Sequence, residues 1–103
     1  MAKILWPEGF DERAEVEAGW RGYLSQARVR LDDGRVFAVY FAEPGRLGQD
    51  LEEAQPSIVA EIGLIVLPEI TRETMEAAVA YLALRRFFEY FRPLEESDRP
   101  WEV

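Results

Sequence analysis

The chain has 103 residues, 49% of them hydrophobic and 13% aromatic, with 20 acidic and 12 basic side chains for a formal net charge of −8. That supply of apolar residues argues for one folded domain over residues 1–103 and against disorder. Cysteine and histidine are both absent, which excludes disulfides, thiolate nucleophiles, Cys–His metal sites and imidazole acid–base catalysis.

The acidic balance opposes nucleic-acid binding, because phosphates repel it. No stretch is apolar for long enough to cross a bilayer. The first ten residues carry an early Pro-Glu-Gly in place of a secretory signal. The expectation is a cytoplasmic protein with no membrane association.

The chain opens on a short apolar patch, Ile4-Leu5-Trp6, closed by the Pro-Glu-Gly turn signal. Residues 11–18 are rich in Glu and Ala and predict one or two helical turns, with Asp11 as N-cap and Gly19 as terminator. Residues 20–31 read as a strand, because Ala27, Val29 and Leu31 alternate with Arg28, Arg30 and Asp32.

Asp32-Asp33-Gly34 is the sharpest local signal and predicts a hairpin. Two registers are open. A two-residue loop pairs Leu31 with Val36; a three-residue loop pairs Val29 with Phe37 and Ala27 with Val39. The second separates apolar from charged residues better and is preferred. The returning strand, 35–42, is apolar on both faces and is expected to be central.

Glu43-Pro44-Gly45 breaks that strand, and a short helix is predicted as far as Ala54, with Leu47, Leu51 and Ala54 on one face. A third strand is expected within 58–67, most clearly at 64–67, where unbroken apolar character predicts burial on both faces. Parallel and antiparallel pairing are both open. Thr71 fits the N-cap of a long final helix, with Glu73 in its first turn and Ile70 and Met75 as a hydrophobic staple. The pattern runs to Phe91, and Pro93 ends it. Residues 94–103 read as a loose acidic tail from which Trp101 could dock back. The fold class is α+β: a small sheet of three or more strands, a hairpin among them, packed by a long C-terminal helix.

The final helix carries two apolar sets. Met75, Ala78, Val79 and Leu82 have core spacing; Tyr81, Leu84, Phe87, Phe88 and Phe91 point to another side. If exposed, this second set would form an interface. If Trp6, Phe10 and Trp20 cover it, it is core. Eleven of the twelve basic residues are arginine, the side chain suited to bidentate capture of anions. Arg28 and Arg30 on one strand face, with Arg85 and Arg92 on one helix face, would make an anion pocket; ordinary surface ion pairing is the simpler account.

Acidic pairs at Asp32-Asp33, Glu52-Glu53 and Glu95-Glu96 match no calcium-loop spacing, and Asp32-Asp33 already serves the turn. No P-loop follows Gly45 and Gly48. No catalytic residue, metal ligand or cofactor site is assigned. The expectation is a non-catalytic interaction module. It would self-associate or partner a basic protein, in the manner of an inhibitor or antitoxin. A small-anion binder is the alternative, and a carboxylate enzyme or divalent-metal binder stands third.

Overall fold

The computed structural model describes residues 2–60, 62–90, 93 and 94. Along them run β1 (Lys3–Leu5), α1 (Glu12–Arg21), β2 (Tyr23–Arg30), β3 (Val36–Ala42), α2 (Pro44–Glu53), β4 (Leu64–Val66) and α3 (Arg72–Leu84), then a 3-10 turn at Phe87–Tyr90. The α+β class holds. The sheet has four strands in the order β1-β2-β3-β4. The first three pair antiparallel, and β4 lies parallel to β3. Parallel neighbours need a crossover, and α2 with the residues after it supplies it.

The patch at the N-terminus is a strand: Ile4 pairs with Val29 and Leu5 with Arg28. The hairpin takes the three-residue loop, with Val29 opposite Phe37 and Ala27 opposite Val39. The Leu31 N–H donates to the Arg35 carbonyl and the Gly34 N–H to the Leu31 carbonyl. Gly34 has φ +90 at the turn, where a side chain would be strained.

Asp11 caps α1, its carboxylate accepting the Ala14 N–H at 2.9 Å. The helix does not stop at Gly19 as expected; it continues to Arg21 and closes on Gly22. Gly19 instead lies inside the helix, where an added Cβ would stand 3.3 Å from the Ile70 carbonyl oxygen. Close packing, not termination, is what the glycine allows. Thr71 and Thr74 form a reciprocal capping box on α3, and Ile70 and Met75 are both buried.

The core lies on one face of the sheet. Ile4, Leu24, Ala27, Val29, Phe37, Val39, Phe41 and Ile65 meet Ala18 of α1, Ile70, Met75 and Val79 around α3, and Phe88 of the 3-10 turn. By the alternation of strands, Lys3, Leu5, Tyr23, Arg28, Arg30, Ala38, Tyr40, Leu64 and Val66 face the other way.

Burial is less than the apolar patterns suggest in two places. No residue of α2 is buried, and Leu51 of its apolar stripe is exposed. β4 is an edge strand rather than one covered on both faces: Ile65 is buried, but Val66 is 50% exposed.

Candidate functional site

The apolar set expected on the final helix is divided by the backbone. Helix α3 ends at Leu84, not at Phe91. Arg86 then adopts φ +59, a left-handed conformation that turns the chain. The turn carries Phe88 inward to 2% exposure, 5.7 Å from the Phe37 ring centroid. Phe87 packs edge-on against Phe88 at 5.5 Å and joins the rim of the core. Phe88 is therefore a core residue and no surface anchor. Tyr81 and Leu84 remain outside, Leu84 at 86% exposure. Phe91 and the tail residues 95–103, with Trp101, lie outside the described residues.

Of the three aromatics expected as cover, Trp6 and Phe10 pack against the core and Trp20 does not. Trp6 and Phe10 stack at 5.0 Å, and the Arg72 guanidinium lies 4.9 Å and 4.8 Å from their ring centroids. Arg72 is held there by its Nη2 donating to the Phe10 carbonyl and by Glu15, whose carboxylate is 3.5 Å from Nε. Trp20 covers nothing and is 84% exposed.

Of the arginines expected to form an anion pocket, three lie among the described residues and they do not share one face. Arg28 and Arg30 share the sheet face opposite the core, as their spacing predicts. Arg85 stands at the end of α3, which packs on the core face, and its guanidinium lies 4.7 Å over the Tyr81 ring. Arg92 lies outside the described residues. Arg85 thus stands apart from Arg28 and Arg30.

What surrounds Arg28 is a break in the strand. Leu24 pairs with Phe41 and Ala27 with Val39, so Ser25 and Gln26 together oppose Tyr40. Gln26 has φ +66, the left-handed conformation of a bulged residue. A cleft of about 560 Å³ lined by Trp6, Pro7, Glu8, Gln26 and Arg28 opens on one side of this bulge. A second of about 240 Å³ opens on the other, where Ser25, Arg28, Tyr40 and Ile62 contribute. Partial burial pushes the Arg28 guanidinium below its ordinary pKa. Its Nη1 donates to the Ala27 carbonyl at 3.0 Å. Among the described residues, no three carboxylates are grouped to hold a metal ion.

A different set of residues stands out along the crossover. Leu51, Ile58, Ile62 and Val66 are all exposed, Ile62 at 84%. They lie in residues 43–69, which carry six acidic residues (Glu43, Asp50, Glu52, Glu53, Glu61 and Glu69) against the single Arg46. Arg46 is engaged already, 3.2 Å from Asp50 and 4.6 Å over the Tyr23 ring. Sequence reasoning missed both the bulge and this edge. The bulge had a signal: apolar positions 24, 27 and 29 break period two by one residue. The edge had one too, since residues 62–67 carry no charge, but that pattern reads equally as a buried strand.

Compared with protein-family models, with curated proteins and with solved structures, the chain matches none.

Proposed function

We propose that the chain is a non-catalytic protein-interaction module whose partner is basic. The exposed apolar residues of the crossover, set in a strongly acidic stretch, carry this reading. Apolar side chains grouped on a surface and rimmed by charge are what an interface requires. The negative charge of this stretch would steer a cationic partner and disfavour acidic ones. With neither histidine nor cysteine, the chain has few groups suited to proton transfer or nucleophilic attack near neutral pH.

The test is site-specific photocrosslinking in cells, with a crosslinking residue at Ile62 and a control at exposed Arg13 of α1. Basic proteins captured at Ile62 and not at Arg13 support the reading. Equal capture at both positions, or acidic partners only, sinks it.

The bulge supports a second reading. Arg28 beside a cleft, with Arg30 on the same face, suits a small carboxylate or phosphate. Thermal-shift screening with phosphates, nucleotides and carboxylates decides it: a ligand whose stabilisation disappears in Arg28→Ala supports it, and no shift with any of them removes it.

A further inference from the structure

We propose, resting on the reading of a basic partner, that the outer edge of β4 takes an extended cationic and apolar segment as a fifth strand of the sheet. The backbone is set for it. The Gly63 carbonyl accepts the Tyr40 N–H at 3.0 Å, and the Leu67 N–H donates to the Ala42 carbonyl at 2.9 Å. Residues 63 and 67 thus bond inward to β3. In a strand the inward and outward bonding positions alternate, so Ile65 bonds inward and Leu64 and Val66 direct N–H and C=O outward. Among the described residues no strand pairs with that side. Four backbone groups in one line are what strand addition uses.

The two edges of the sheet differ in how they are guarded. β1 carries exposed Lys3 and is followed within two residues by Pro7, both devices that discourage strand addition. Along β4, residues 62–67 hold no charge and no proline; the first proline is Pro68, past the end of the strand. Ile62 and Val66 stand exposed beside that edge.

Charge selects the occupant. The stretch 43–69 carries six acidic residues against one arginine, and that arginine is already paired to Asp50. A second copy would bring the same acidic stretch against itself, and like charges across an interface are costly. A strand alternating Lys or Arg with Val or Ile would instead meet apolar side chains at the edge and a stretch whose net charge is negative.

The experiment titrates the full chain with two eight-residue peptides of equal charge. One alternates Lys or Arg with Val or Ile; the other has proline at alternate positions and cannot form a ladder. Wild type is compared with Val66→Pro, which removes an outward N–H and leaves the inward bonds to β3. The expected result is saturable binding of the first peptide, at least tenfold weaker for the proline peptide and for Val66→Pro. The same binding should slow amide exchange at Leu64 and Val66 at least tenfold, a readout that holds even if Val66→Pro does not fold. Binding of the first peptide without that protection leaves the basic-partner reading standing and overturns the edge assignment. Failure of both peptides to bind overturns both. A dimer in light scattering that Val66→Pro dissociates would give the edge to a second copy and overturn the proposal.

Discussion

Gly63 and Ala38 are locked together at the join of β3 and β4: a Cβ placed on Gly63 would collide with the Ala38 carbonyl. Gly63 also has φ +85, and its own carbonyl accepts the Tyr40 N–H. The entry to β4 therefore depends on a residue with no side chain, for two separate reasons.

Gly63→Ala is expected to destabilise the chain more than Gly34→Ala. Both positions have positive φ, which costs about 1–3 kcal/mol for a residue with a Cβ. At Gly34 nothing lies within 4 Å of the added carbon, so the conformational term stands alone. At Gly63 the backbone of β3 must also move. Each kcal/mol is worth about 4–8 °C in Tm for a domain near this size. Thermal unfolding of the two variants checks the order; equal losses would mean that the Ala38 contact relaxes freely.

The same residues show what was legible in the sequence and what was not. The hairpin register followed from keeping Arg28 and Arg30 off the face of Phe37, because one slipped residue exchanges the faces. The caps at Asp11 and Thr71 are local, made by side chains within three residues, and so could be read directly. The end of α3 was hidden. Arg86 takes a left-handed conformation without the Gly or Asn that announces one, and tertiary pull on Phe88 decides it. β4 was misread for a similar reason. Apolar runs say that side chains avoid water, while the strand's place in the sheet is set by pairing partners far away in sequence. Of the arginines, Arg28 and Arg30 could be placed together by period two, whereas their relation to Arg85 needed the packing of α3 on the opposite face.

Phe88 and Leu84 are four residues apart and should respond oppositely to substitution. Phe88 is enclosed by Phe37 and Phe87, so Phe88→Ala leaves a cavity and should cost about 3–5 kcal/mol. Leu84 is in water, and Leu84→Ala should change stability by less than about 0.5 kcal/mol. Urea unfolding at fixed pH gives both values. A near-neutral Phe88→Ala would mean that the 3-10 turn does not hold Phe88 in the core.

Asp33 makes the hairpin turn sensitive to acid. Its Oδ1 accepts the Arg35 N–H at 3.0 Å and its Oδ2 meets Arg35 Nε at 2.7 Å. The backbone N–H foremost, then the guanidinium, hold the carboxyl below its ordinary value. A carboxylate with a depressed pKa in the folded state stabilises that state above its unfolded pKa. The contribution fades as pH falls through the folded value. Asp33→Asn keeps an acceptor for the Arg35 N–H and removes the charge. Wild type should therefore exceed Asp33→Asn in urea midpoint by a constant margin at neutral pH. The margin should narrow only below about pH 4, the ordinary carboxylate range. The turn is exposed to solvent, so the margin should be small and should shrink in high salt. Curves that run parallel from pH 7 to pH 2 would show that the Arg35 contacts do not bias the titration of Asp33.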